Sequence, residues 1–475
     1  IALEEAVFLR SEAISSPMGL QLAAFSNTRS TSALIDRFGG EMLSWNEVRA
    51  LVRQENFSAS THEHDPPTGP GAAAPSPSVD ADRIVDVRPG PESRSIQQAI
   101  DRARPGSIVR IHPGTYRTDT TVVIRTRLTV EGVEAPVLDA GGTHEIIRVE
   151  ADSVTIRGLT LRNVGVSFVD DRAAIRYDGV LGGRIEANRI EDGFFGIYLA
   201  NTGGVTIRGN ELTAHPERET LAGNGIHLWH CKDILIEENR VVGHRDGIYF
   251  EFVEDSRIVG NESRANLRYG LHFMFSDRCR YANNRFLEND AGVAVMYTRE
   301  VEMVNNDFAD NWGAASYGLL LKDITDSRIV GNRFYRNTTG IYSENSSRLE
   351  IRANRFQENG WAVRLMANSL ENRYVRNNFV GNTFDVATNS RRTSGHFAHN
   401  YWDAYQGYDL DRDGYGDVPF HPVRLFSLIV EQHEPALVLL RSLFVDLLDA
   451  AERMIPMLTP EMLVDRSPRM EPHPL

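Results

Sequence analysis

The sequence predicts an all-β protein wound as a right-handed parallel β-helix, with an N-terminal capping helix, a C-terminal helical tail and a small α+β fragment at its start. Three observations carry the prediction. Asparagines recur at Asn188, Asn210, Asn239, Asn261, Asn284, Asn306, Asn332, Asn354 and Asn378, at intervals of 22, 29, 22, 23, 22, 26, 22 and 24. Each follows an alternating run such as Val205-Thr-Ile-Arg, Ile234-Leu-Ile-Glu or Leu349-Glu-Ile-Arg, the period-2 pattern of a half-buried strand. About eight residues further on a small residue opens another short strand: Gly196-Ile-Tyr-Leu, Gly225-Ile-His-Leu, Gly247-Ile-Tyr-Phe, Gly270-Leu-His-Phe, Gly292-Val-Ala-Val, Gly318-Leu-Leu-Leu and Gly340-Ile-Tyr-Ser.

One coil per period, each holding two or three short strands, is the repeat logic of a solenoid of about 22–26-residue coils. Alternation sends Ile, Val and Leu inward. Asparagine at the turn tolerates a left-handed backbone, and its amide can bond to the asparagine one coil away. Leucine-rich repeats need a Leu-x-x-Leu-x-Leu pattern that is missing, and propeller blades need periods of ~40 residues.

The elements follow in order. Residues 1–56 carry helical patterns, the clearest being Ser32-Ala-Leu-Ile-Asp-Arg-Phe38, stopped at Gly39-Gly40. Residues 57–82 are a Pro/Gly/His linker, in which the stretch from Thr61 to Pro77 has nothing apolar that can collapse. The solenoid is expected over 83–400. Ser95-Ile-Gln-Gln-Ala-Ile-Asp-Arg opens it as a short helix that hides the first unpaired strand. An Asp-rich segment occupies 401–424. The tail, 425–475, places Leu439, Leu440, Leu443, Phe444, Leu447, Leu448 and Ala451 at helical spacing, and this stripe must bury against the last coil or a partner.

Composition narrows the function. Of 475 residues 41% are hydrophobic and 24% charged, which excludes a mostly disordered chain. A net charge of −14 argues against nucleic-acid or anionic-membrane binding through bulk charge. No run of 18 uncharged apolar residues suggests a membrane span, and the opening at Ile1 leaves export undecided. Cys231 and Cys279 are too few for a disulfide framework, and their coils, ~10 Å apart, do not suit an unstrained disulfide; Cys231, next to His230, is expected as a buried inert thiol, with a thiol-ligand role as the alternative.

Register stacks residues from different coils. In each Gly-Ile-X-Leu-Z strand, X and Z share the outer face, ~7 Å apart, and neighbouring coils lie ~4.8 Å apart. The X column reads Tyr198, His227, Tyr249, His272, Ala294, Leu320, Tyr342, Arg364, and the Z column Ala200, Trp229, Glu251, Met274, Met296, Lys322, Glu344, Met366. Met274 and Met296 are therefore expected side by side, with His272 next to Met274. Thioethers and an imidazole are soft donors suited to Cu(I), although the same side chains also suit plain surface packing. His227 and Met303 are weaker candidates for the same metal.

Two long coils imply loops at Leu212–Asn224 and Asn311–Ser316, carrying His215 and Trp312, at the edge of this face. In Asp409-Leu-Asp411-Arg-Asp413-Gly-Tyr-Gly-Asp417, carboxylates at alternating positions around a glycine turn resemble the first part of a Ca²⁺ loop. Phe420 stands where an EF-hand has its bidentate Glu, so the choice is between a Ca²⁺ site and an ion-free Asx turn.

The coils, the strand His272-Phe-Met-Phe-Ser-Asp277, Asn400-Tyr-Trp-Asp403, the Asp409–Asp417 loop and the tail from Leu425-Phe-Ser to Leu458-Thr-Pro460 closely resemble the NosD family over about residues 83–472. The resemblance implies a periplasmic, non-enzymatic maturation factor for the copper sites of nitrous oxide reductase. Its implied partners are that reductase and an ABC transporter, made of a membrane subunit and an ATPase. This sequence has no Gly-x-x-x-x-Gly-Lys loop, so ATP hydrolysis falls to the partner. Ser16-Pro-Met-Gly19, Leu22-Ala-Ala-Phe25 and Phe38-Gly-Gly-Glu-Met-Leu-Ser-Trp-Asn-Glu-Val48 resemble the C-terminal part of the NosL copper-chaperone family, which makes Met18 a Cu(I) ligand candidate. Read so, residues 1–56 are a chaperone fragment tethered in cis, which raises its effective concentration at the solenoid.

The expected function is thus to accept Cu(I) transiently around His272, Met274 and Met296 and pass it on. Two alternatives stand beside it: a carbohydrate-active lyase, hydrolase or epimerase, and a purely structural adaptor. The first is weakened by its carboxylates, since Glu251 and Glu344 fall about four coils, ~20 Å, apart, whereas paired acid/base groups need to sit closer.

Overall fold

The protein, described from a computed structural model, divides into two compact units, Ile1–Ser78 and Val79–Leu475. The structure describes Val7–Arg10, Leu22–Phe25, Glu41–Leu43 and residues 83–474, apart from 91–94, 168–169, 217, 219–220, 314–315, 367, 390–394, 441 and 455–462. In the first unit Val7–Arg10 pairs antiparallel with both Leu22–Phe25 and Glu41–Leu43. Met18 and the segment 57–82 lie outside the described residues.

In the second unit a capping box starts the entry helix Ile96–Arg102. The Ser95 hydroxyl accepts from the Gln98 amide, and the Gln98 side chain accepts from the Ser95 amide. Ile96, Ala99 and Ile100 bury against the first coil. The strands that follow pair in parallel, each with the strand one coil before and one coil after, forming sheets of 12, 13 and 14 strands around a single core. The result is a parallel β-solenoid of about 13 turns.

The asparagine period is a hydrogen-bonded ladder. From Asn188 to Asn400, each backbone N–H and each Nδ2 donates to Oδ1 of the asparagine one coil on, at 2.8–3.0 Å. Two expectations are corrected. The rung after Asn354 is Asn377, whereas Asn378 exchanges two 2.9 Å bonds with the backbone of His473. And the left-handed residue is the one before each rung (Ala187, Gly209, Glu238, Gly260 and so on, φ 51–69°), which frees the asparagine to point inward.

A second ladder, Asn266, Asn289, Asn311, Asn337, Asn359 and Asn382, runs along another turn and begins at the amide of His244. Beside the first ladder, Phe286, Phe308, Phe334, Phe356, Phe379 and Trp402 stack through the core with centroids 4.1–5.5 Å apart.

The far end is closed by the chain's last residues. Asp465 is fully buried, and its carboxylate accepts from the amides of His399 and Asn400, from Asn400 Nδ2, from Trp402 Nε1 and from the Ser467 amide, at 3.0–3.2 Å. It takes the place of the next rung. Between last coil and cap runs the tail: a helix Leu425–Gln432, a 3₁₀ segment Glu434–Leu439 and a helix Leu443–Met454. Phe426, Val430 and Val445 pack with Phe384 of the last coil, and Arg364 grips Glu431 with two bonds of 2.7 and 2.9 Å. The other side of the tail exposes Val438, Leu443, Phe444 and Leu447. Among the described residues no helix is long and apolar enough to cross a membrane.

Candidate metal-handling strip

The twelve-stranded sheet carries the outer columns in the expected register. Tyr198, His227, Tyr249, His272, Ala294, Leu320, Tyr342 and Arg364 pair in sequence, and beside them run Ala200, Trp229, Glu251, Met274, Met296, Lys322 and Glu344. Within the strand Tyr269–Met274, Leu271 and Phe273 enter the core while His272 and Met274 face outward. Met274 and Met296 are direct cross-strand partners, and both are half-buried.

Around this pair the strip is crowded. The Tyr249 hydroxyl lies 3.5 Å from Met274 Sδ and 3.4 Å from Glu251 Oε2. Glu251 is 8% exposed, and burial pushes its carboxyl up to about 7, against the opposing hydrogen bond from Tyr249. His272 is 5% exposed, wedged between the rings of Tyr249 and Tyr269 at 5.0 and 4.6 Å. Its Nδ1 stands 3.7 Å from Asp246 Oδ2, beyond hydrogen-bond distance, and neither ring nitrogen has a hydrogen-bond partner among the described residues. Asp246 is fully buried. Burial works to raise its pKa, but two bonds from Arg268, at 2.8 and 2.5 Å, together with the His272 ring outweigh that and hold it at about 2.

The other expected residues fall elsewhere. His227 is in the column but serves as a wall: its ring stacks between Tyr198 and Tyr249, both at 4.7 Å, and Nδ1 accepts from Asn224 Nδ2 at 2.9 Å. Burial and the nearby Arg245 depress its pKa to about 3. Met303 is corrected outright. It is fully buried in the core, on a strand of the fourteen-stranded sheet between Tyr281 and Ile329, because alternation in Glu302–Val304 turns its central residue inward. On the long loops, His215 pairs with Asp192 at 3.0 Å and Trp312 is 64% exposed. Cys231 and Cys279 are buried free thiols, pushed up to about 12 by desolvation.

In the acidic loop the carboxylates of Asp409, Asp411 and Asp413 come within 4.8 Å of one another. Asp409 also accepts from the amides of Asp413 and Gly414. Asp417 turns away to accept from the Leu410 amide at 2.7 Å.

Sequence reasoning missed the Asp246–Arg268 pair and a run of aromatic residues directly after the Z column: His230, Phe252, Phe275 and Tyr297. The signal was available, since the flanking coils carry Asn201, Asp323 and Asn345 at that position.

The fold defines a parallel β-solenoid scaffold, with two outward columns of aromatic, thioether and charged side chains along one sheet. The family described as periplasmic copper-binding protein (NosD) matches residues 212–410. A Pseudomonas aeruginosa protein named probable ABC transporter binding protein NosD is 31% identical over 361 residues, 71% of this chain and 83% of its own length. A Stutzerimonas stutzeri protein of the same name is 27% identical over 382 residues, 76% and 86% of the two chains. The chain belongs to the NosD family. Among solved structures, the catalytic domain of a GH87 α-1,3-glucanase in complex with tetrasaccharides is similar with a TM-score of 0.50 at 12% identity, over 70% of this chain and 71% of that one. The A-module of the Azotobacter vinelandii mannuronan C-5 epimerase AlgE6 gives 0.49 at 16% identity, over 66% and 96%. At such identity the likeness concerns the fold alone.

Proposed function

We propose that this protein is a non-catalytic, periplasmic copper-handling factor that accepts Cu(I) at Met274, Met296 and His272 and passes it toward the copper centre of nitrous oxide reductase. The observation that supports this reading most is the direct cross-strand pairing of Met274 with Met296 on the outer face, with the ring of His272 two residues away on that face and its nitrogens without a hydrogen-bond partner among the described residues. Two neutral thioethers favour a soft monovalent ion without adding a charge that would trap it, which suits cargo in transit. The family description and the relatives' names point the same way.

The remaining parts fit around this. The exposed apolar side of the tail is the proposed docking element for the membrane subunit of the ABC transporter, whose ATPase supplies the hydrolysis. Residues 1–56 would deliver copper as a tethered NosL-like chaperone fragment, with Met18 as one of its ligands. The Asp409, Asp411 and Asp413 carboxylates would hold Ca²⁺ and stiffen the loop beside the closing segment; a rise in thermal midpoint with Ca²⁺, absent in Asp411→Asn, tests that part. A glycosidase-type enzyme is disfavoured because Glu251 and Glu344 stand four register steps apart.

Competition with a chromogenic Cu(I) chelator tests the central reading. The unsubstituted protein should take Cu(I), and Met274→Ala with Met296→Ala should lose it by at least about tenfold in affinity, one ligand interaction's worth of binding energy. Unchanged affinity in the double variant would remove the site.

A further inference from the structure

We infer that the stacked rings of His230, Phe252, Phe275 and Tyr297 form the seat on which a Cu(I)-carrying protein docks while it exchanges copper with the strip. The inference rests on the reading of Met274 and Met296 given above, and adds the surface that brings the partner to them.

Each ring follows one residue of the Z column: Trp229, Glu251, Met274 and Met296 in turn. The four stack at 4.6, 5.2 and 5.1 Å with interplanar angles of 12°, 11° and 13°, and Tyr297 is 43% exposed. All four sit in the left-handed region, at φ 49°, 54°, 50° and 56°. That region is a strained place for phenylalanine or tyrosine and an easier one for histidine, asparagine, aspartate or glycine. The flanking coils use the easy residues at the same step: Gly179, Asn201, Asp323 and Asn345, at φ 65°, 51°, 53° and 49°. There the side chains can satisfy each other, as Asn345 does by donating to the Asp323 carboxylate. The solenoid therefore has a comfortable solution for this turn and departs from it, with Phe252, Phe275 and Tyr297, in the three consecutive coils that carry Glu251, Met274 and Met296, while His230 continues the stack in the coil of Trp229.

Beyond the rings the surface becomes polar and balanced. Lys232 pairs with Asp255 at 3.4 Å, Arg278 with Glu254 and Asp255 at 2.5 and 2.8 Å, and Arg299 with Asp277 at 2.9 Å. An apolar, aromatic centre edged by paired charges is the anatomy of a protein–protein contact. What covers it follows from the copper chemistry. Direct ligand exchange requires the donor's own ligands to reach the sulfurs of Met274 and Met296, so the donor's surface must lie over the residues that follow them, Phe275 and Tyr297. Stacked rings turn their electropositive edges outward, and edges suit thioether sulfur on the partner. A sugar would need ring faces, which the stack hides. Because the rim charges cancel, the encounter should depend only weakly on ionic strength.

The test uses the full chain with Phe275→Asn and Tyr297→Asn, residues that neighbouring coils already hold at this step. Two Cu(I) donors are compared by stopped flow: a Cu(I)-loaded NosL-type chaperone protein and a small Cu(I)–chelator complex that needs no docking surface. Expected are a loss of about tenfold or more in the transfer rate from the chaperone, as for removal of interface anchors, with the rate from the chelator complex and the equilibrium Cu(I) affinity unchanged, and a thermal midpoint equal to or above the unsubstituted one. An unchanged chaperone rate overturns the inference, and so does an equal fall with both donors, which would make the rings part of the copper site itself. Failure of the unsubstituted protein to bind Cu(I) from either donor would instead overturn the reading of the strip, and this inference with it.

Discussion

Replacing Asp465 with alanine should loosen one end of the solenoid and leave the copper strip intact. The carboxylate is fully buried and accepts five N–H groups, four of them from the last rung and its neighbours, His399, Asn400 and Trp402. Removing one member of a buried, charge-assisted network costs about 3–5 kcal/mol, because the donors left behind are desolvated without a partner. In a repeat array each coil contacts only its neighbours, so the loss should stay local. Hydrogen exchange read strand by strand should show faster opening in Asn378–Val380 and Tyr401–Trp402, by a free energy in that range. Ile226–Trp229 and Ala291–Met296 should exchange as before. Asp465→Asn, which keeps one acceptor oxygen but aims an amide at donors, should fall between, at about 1–3 kcal/mol. Uniform acceleration across all coils, or none anywhere, would refute the idea that Asp465 acts as the terminal rung.

Met303→Ala should destabilise the solenoid by about 2–4 kcal/mol, as a fully buried large-to-small change does, with the Cu(I) stoichiometry unchanged; loss of a copper equivalent would return Met303 to the ligand set. Glu251 titrates near 7 in the fold against an ordinary 4.5, so the folded state holds its proton more tightly, and stability falls as pH rises from about 4.5 to about 7. Glu251→Gln should abolish that decline and gain up to roughly 2–3 kcal/mol above pH 7 in urea unfolding; a variant with the parent's pH profile would contradict it. Cys231 and Cys279, buried with thiols pushed up to about 12, should resist a thiol reagent at neutral pH and react only on unfolding; prompt labelling of the native protein would contradict this.

Much of this was legible because a solenoid converts sequence period into spatial neighbourhood. Once the asparagines set the coil length, the pairing of Met274 with Met296 followed from counting, and strand alternation gave the face. The errors occurred where counting is ambiguous. Asn377 and Asn378 are adjacent, and only geometry reveals which amide enters the ladder. Met303 lies on a three-residue strand, too short for its alternation to be read with assurance. The left-handed step belongs to the residue before each rung, and the aromatic series His230 to Tyr297 occupies a different left-handed turn, just after the Z column, where no asparagine marks the coil. Asp465 lay beyond any reach of periodicity: it closes the ladder from a segment that returns after two helices. His227 was placed in the right column, but its role as a stacked wall depends on Tyr198 and Tyr249, whose ring orientations the register does not give.

X-ray absorption at the copper edge of the Cu(I)-loaded protein tests the central claim most directly. The account predicts two thioether sulfurs bound to the metal in the unsubstituted chain and their disappearance in Met274→Ala with Met296→Ala. A shell of nitrogen and oxygen alone, or sulfur scattering that survives the double substitution, would contradict it.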